Sequence, residues 1–323
     1  MVSRLRRTLL AALVAAAVAV PVSAAARPSA VPAPAPAALA PLGAAELPVL
    51  DARYAATRAG IRAAARAADG HGDHRRARAL RAMAADGRQF LAFDGRDGGR
   101  AAEVFGDLAR ADRVTVLVPG ADTHLDTYAR FRAGAAALHR ALRSTGADRT
   151  AVVAWLGYAT PRTLGTDALT SGLADEAAAE LAAFAAELSA AKGDAVGLTL
   201  LCHSYGSVVC ARAAGRPGTA GVSDIALFGS PGTGAETAAG LRTRATVWAG
   251  RGGDDWIADV PHVRLELLGT DVGFGTDPVA DSFGARVFDA GGGGHSDYLR
   301  PGSTALRNLA LIAAGRTAEV SRA

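Results

Sequence analysis

The sequence predicts an α/β architecture: a mostly parallel central sheet with helices on both faces, preceded by an N-terminal helical hairpin. Three observations carry this reading. Short apolar, β-branched runs recur at residues 114–118, 151–155, 198–202, 225–228 and 246–249. Segments of helical length, 125–142 and 175–191, alternate with them. The runs are apolar throughout, the mark of strands buried on both faces of a parallel sheet.

The elements follow in order. Residues 50–85 read as two arginine-studded helices broken at Gly70-His71-Gly72, with an Ala/Leu stripe to pack on the main body. Residues 90–93 and 101–105 read as a strand pair around the glycines at 95–99. The parallel strands follow, with a small-residue helix after residue 204. A last strand is expected at 286–288 and a last helix at 304–314.

Composition limits what the chain does. At 323 residues it has room for two domains, or for one α/β domain with appendages. Half of it is hydrophobic but only 5% is aromatic, so its apolar mass is Ala, Val and Leu. A charged fraction of 20% excludes a disordered polyelectrolyte. A mean hydropathy of +0.16 excludes a multi-span membrane protein. The net charge of +4 comes from 35 basic against 31 acidic residues, and Lys192 is the only lysine. This reads as compositional bias, and no nucleic-acid partner is expected.

Arg4, Arg6 and Arg7 precede an apolar run at 9–20, then Pro21 and the small residues Val22-Ser23-Ala24-Ala25-Ala26. That is the layout of a secretory signal cleaved after Ala24 or Ala26. The run is too short to span a bilayer, and no cysteine follows it to carry a lipid. The expected division is 1–26 signal peptide, 27–48 Pro/Ala-rich linker, 49–88 helical segment and 89–318 catalytic domain, with a secreted or cell-envelope location. Cys202 and Cys210 lie eight apart, one ending a strand and one inside the next helix. A disulfide needs Cα atoms within about 7 Å, so two buried free thiols are expected.

One place carries chemistry. The strand at 198–202 runs into His203-Ser204-Tyr205-Gly206-Ser207 and then a helix. A serine at the apex of a strand–turn–helix exposes its hydroxyl above the sheet. The bland alternative is Ser204 as a helix cap.

On these residues the chain resembles the α/β-hydrolase superfamily, whose pattern is G-x-S-x-G, with Cys202 in place of the first glycine. It is most similar to an actinobacterial, often exported serine-hydrolase family catalogued as a domain of unknown function. The resemblance covers roughly residues 90–315. It implies a serine activated by a histidine that an acid orients, in the chain order Ser, acid, His. Ser204 is then the nucleophile. His295, delivered by Gly291-Gly292-Gly293-Gly294 between the last strand and the last helix, is the base; His262 competes, and His203 is expected to shape the elbow. Asp255 is the orienting acid, because Gly252, Asp255 and Ile257 match G-x-x-D-x-[IV]; Asp254 and Asp259 are alternatives.

The same resemblance implies an oxyanion hole made by the backbone amides of Tyr205 and Ala121, each donor worth on the order of 3 kcal/mol. Trp155 and Tyr158 are candidates for lining the substrate pocket. The acidic stretch 270–283, with Asp271, Asp277 and Asp281, matches no EF-hand and reads as a connection beside the site.

The resemblance implies an exported serine hydrolase cleaving an ester or related acyl bond of a small or lipid-like substrate. No metal or organic cofactor is implied. A non-catalytic envelope-binding module, touching the cell envelope through its Arg-rich hairpin, is one alternative. An acyltransferase using the same residues is the other.

Overall fold

The computed structural model describes residues 32–43, 46–163, 172–193, 196–260, 265–267, 270–272 and 274–323. The expected signal at 1–26 and His262 lie outside these residues. Helix α1 (Leu47–Gly70) starts at a proline in its first turn, where the missing N–H costs nothing. It buries Leu50, Tyr54, Thr57, Ile61, Ala64, Ala65 and Ala68, a stripe at helical spacing. The Asp73 side chain accepts the Arg76 amide and so caps α2 (His74–Met83).

Two arginines tie this hairpin region to the body. Arg76 makes a two-pronged ion pair with Asp126. Arg88, just after α2, does the same with the buried Glu103, at 2.7 Å on both prongs. Arg132, on the helix Tyr128–Ser144, adds a third hydrogen bond to Glu103 at 3.2 Å. Part of the chain's arginine excess is therefore structural.

Strands β1 (Gln89–Asp94) and β2 (Arg100–Phe105) pair antiparallel. Next come β3 (Arg113–Val118), α3 (Tyr128–Ser144), β4 (Thr150–Leu156) and α4 (Gly172–Lys192). They are followed by β5 (Gly197–His203), α5 (Tyr205–Ala214), β6 (Val222–Phe228) and β7 (Thr246–Gly250). A separate ribbon, β8 (Leu265–Leu267) with β9 (Thr270–Val272), precedes β10 (Arg286–Val287) and α6 (Thr304–Ala313). The main sheet has the order β1-β2-β4-β3-β5-β6-β7-β10 and is parallel from β4 onward.

Alternation along the strands divides the core in two. Val114, Val116 and Val118 of β3 face α4 and α5, with Leu198, Leu200 and Cys202 of β5 beside them. Leu117, Val152, Ala154 and Leu201 face α3 and α6 on the other side. The α/β class and the two-sided covering are as expected. Two boundaries differ. The helix expected from 125 starts at Tyr128, because Thr127 turns back to hydrogen-bond the Asp122 carbonyl at 2.9 Å. The last strand stops at Val287, and Phe288 bridges instead to Arg322 in the C-terminal tail.

Cys202 and Cys210 form a disulfide, which corrects the expectation of two free thiols. The sharp turn after β5 folds α5 back across the strand, bringing the two Cα atoms to 6.4 Å, inside bridging range. Separation along the chain concealed a proximity that the turn creates. Both residues are fully buried in the core between β5 and α5. The intact protein should therefore weigh two hydrogens less before reduction than after. The Cys202→Ala/Cys210→Ala double variant should lose about 2–3 kcal/mol in urea unfolding. Equal stability of the two forms under non-reducing conditions would contradict the bridge.

Candidate active site

Where β5 ends, the chain must reverse into α5 within one residue. Ser204 makes the reversal at φ 53° and ψ −127°, a backbone conformation that costs a side-chain-bearing residue on the order of 1–3 kcal/mol. Hydrogen bonds hold it there. The Ser204 amide donates to the Phe228 carbonyl on β6 at 3.0 Å, and the Ser204 carbonyl accepts the Ser207 amide at 2.8 Å. The Ser207 hydroxyl binds the same carbonyl and also meets Ser230 at 2.6 Å.

Two glycines let the neighbouring loop close on this turn. A Cβ on Gly206 would stand 2.5 Å from the Pro119 carbonyl oxygen and 2.8 Å from that of Val118. The crowding comes from the end of β3, not from the β5–α5 packing that the motif alone suggests. A Cβ on Gly120 would stand 2.6 Å from the Ser204 Cβ. The loop after β3 therefore lies directly against Ser204.

His295 arrives from the glycine run after β10. Asp289 accepts the Gly291 amide and Asp297 accepts the Gly294 amide, so the run is pinned at both ends. Its Nε2 lies 2.9 Å from Ser204 Oγ, and its Nδ1 lies 2.9 and 3.1 Å from the two oxygens of Asp255. Nδ1 faces a carboxylate and so carries the proton, which leaves Nε2 to accept the serine O–H.

Asp255 follows β7, buried, and caps a one-turn helix at Trp256–Asp259 by accepting the Ile257 amide at 2.9 Å. The Tyr298 hydroxyl donates to its other oxygen and accepts the Gly252 amide at 3.0 Å. Burial works to raise the Asp255 carboxyl. The hydrogen bonds from His295, Tyr298 and Ile257 together outweigh burial and hold it below the usual carboxylate range. It therefore remains an anion beside the imidazole.

The remaining expected residues fall as follows. Tyr205 is the first residue of α5. Ala121 follows Gly120 in the loop against Ser204, and its amide donates to no described residue. The Asp122 amide beside it donates to the Pro161 carbonyl at 2.9 Å, which fixes the loop. Asp254 and Asp259 lie on the same turn as Asp255, but only Asp255 meets the histidine. Trp155 and Tyr158 are buried; Tyr158 donates to the Pro119 carbonyl at 2.7 Å and stacks between Trp155 and Tyr205. Through these contacts they pack against the loop after β3 and the start of α5. Phe274, from the expected connection, meets Tyr205 edge-on at 5.8 Å. Among the described residues, no group of His, Cys, Asp or Glu is arranged to hold a metal.

Tyr298 escaped sequence reasoning, although its position three residues after a loop histidine was a usable signal. His203 proves to do more than fill the elbow. Its Nε2 lies 2.8 Å from the His295 carbonyl, which can only accept, so Nε2–H is the donor. Burial, reinforced by the neighbouring His295, pushes its pKa down to about 4. The folded protein thus keeps His203 neutral, whereas the unfolded chain takes up its proton near the ordinary histidine value. Stability from this residue is complete above about pH 6.5 and is lost as pH falls toward about 4, a swing on the order of 2–3 kcal/mol. Urea midpoints measured from pH 8 to 4 should therefore fall less steeply for His203→Gln than for the wild type. Parallel slopes would contradict this account.

A profile described as alpha/beta hydrolase matches residues 94–265, just over half of the chain. An uncharacterized protein of Mycobacterium tuberculosis is 32% identical over 259 residues, spanning 70% of this chain and 38% of that protein. One from Mycobacterium bovis is 35% identical over 139 residues, 40% of this chain and half of its own. The chain thus spans well under two thirds of the curated relatives it matches. Among solved structures, a lidless α/β serine hydrolase from Xanthomonas campestris is 17% identical, with a TM-score of 0.44, covering 72% of this chain and 95% of its own. The esterase LipW from Mycobacterium marinum is 18% identical, with a TM-score of 0.45, covering 88% and 98%. With the profile match across β3 to β7, this chain belongs to the alpha/beta hydrolase family.

Proposed function

We propose that this protein is an exported serine hydrolase that cleaves an ester or related acyl bond through an acyl-enzyme. One observation carries the reading: Ser204, His295 and Asp255 form a continuous hydrogen-bonded chain at 2.9 Å per link. Three residues from three separate loops meet at the carboxyl edge of the sheet, where open α/β sheets bind ligands.

In the proposed route the Ser204 oxygen attacks the substrate carbonyl carbon while its proton passes to His295 Nε2. The resulting oxyanion is held by the backbone amides of Tyr205 and Ala121. Asp255 keeps the imidazole in the required tautomer and stabilises the imidazolium. The carbon–oxygen bond to the alcohol then breaks, and the proton on Nε2 moves to the departing oxygen. A water molecule repeats the sequence on the acyl-enzyme, losing its proton to His295, and releases the acid with Ser204 restored. If an alcohol replaces water, the same steps transfer the acyl group instead.

Export is part of the proposal. It rests on the arginine, apolar and small-residue succession of residues 1–26 and draws support from the buried Cys202–Cys210 disulfide, a bond that persists in oxidising compartments.

A fluorophosphonate probe should label the wild type and leave Ser204→Ala unlabelled; equal labelling of both overturns the mechanism. Asp255→Asn should fold normally yet lower kcat on p-nitrophenyl acetate by about 10⁴-fold, because the amide favours the wrong histidine tautomer. Expressed in an actinobacterial host, the protein should reach the medium or envelope with its N-terminus at Ala25 or Arg27. Retention of Met1 would contradict cleavage.

A further inference from the structure

Trp256 is the first residue of the one-turn helix that Asp255 caps, so the turn that orients the acid also displays the indole. The residue is 47% exposed, and its ring centroid lies 4.7 Å from that of the largely buried His295 imidazole. Among the described residues the other large exposed hydrophobic side chains are Leu47 and Val49, at the start of α1. A single exposed apolar side chain is ordinary on a protein surface; it is the place of this one, against the imidazole of the proposed base, that asks for a role.

The direction of proton transfer supplies it. In the serine-hydrolase reading, on which this inference rests, the oxygen that leaves must accept the proton from His295 Nε2. The oxyanion points instead toward the loop after β3 and the start of α5. The alcohol half of the substrate therefore departs on the histidine side of the tetrahedral centre, and the acyl half extends elsewhere. We propose that Trp256 is a platform for the alcohol portion of the substrate and that the enzyme prefers esters of aromatic or other broad apolar alcohols. Stacking on an exposed indole rewards flat or extended apolar groups and gives little to a methyl or ethyl group.

Two ester series separate this from other roles for the tryptophan. One holds the acyl group as acetate and varies the alcohol from ethyl to phenyl to 2-naphthyl. The other holds p-nitrophenol as the leaving group and varies the acyl chain from acetate to butyrate to octanoate. For Trp256→Ala, the ratio of KM for 2-naphthyl acetate to KM for ethyl acetate should rise about tenfold over the wild type. The ratios along the acyl series should keep their wild-type values, and Trp256→Phe should recover most of the loss. Thermal unfolding of each variant checks that the fold is intact. A change that grows with acyl length, or alcohol ratios identical to the wild type, overturns the platform. Failure of the wild type to react with fluorophosphonate or to turn over any ester would instead sink the underlying hydrolase reading.

Discussion

The reversal of the backbone at Ser204 is the constraint around which the rest is arranged. A residue with a side chain is held at positive φ, and this persists only where the surroundings over-determine it. Here β6 takes its amide, the first turn of α5 takes its carbonyl, and the loop after β3 closes so tightly that only glycine fits at 120 and 206. The disulfide adds a covalent link between the strand before the turn and the helix after it. Each of these contacts comes from a different element. The geometry at Ser204 is therefore a property of the whole sheet.

His295 and Asp255 are held by a different device. Both sit on short loops, which on their own would wander. The glycine run carrying His295 is anchored by the carboxylates of Asp289 and Asp297. His203 grips the His295 backbone carbonyl, and Tyr298 joins Asp255 to the Gly252 amide. Together these hydrogen bonds hold the imidazole between Asp255 and Ser204. His203 stays neutral, so a second cation does not oppose the imidazolium that the proposed mechanism forms.

The arginine-rich hairpin shows one structural use for part of the chain's positive charge. Arg76 and the adjoining Arg88 pair with carboxylates of the body. Glu103 is buried on β2 and would be costly to bury unpaired. The hairpin region thus supplies counter-charges to the sheet edge, while its alanine stripe covers β1.

Much was legible in the sequence because it depends on local periodicity. Continuous β-branched runs announce strands covered on both faces, and the order Ser204, Asp255, His295 can be read from the turns that follow successive strands. The resemblance to the α/β-hydrolase pattern and its chain order pointed to those three residues. The sequence could not show that Cys202 and Cys210 meet, since eight residues of strand and helix imply separation until the elbow folds them together. Nor could it show that Trp155 and Tyr158 are buried supports while Trp256 lies open beside the imidazole. Exposure and pairing depend on which elements pack against a residue, and that is set by contacts distant along the chain. Local periodicity determined the elements, and the motif at Ser204 with its family resemblance pointed to the candidate reactive groups; the packing of sheet edge, loops and tail decided which side chains face one another and which face water.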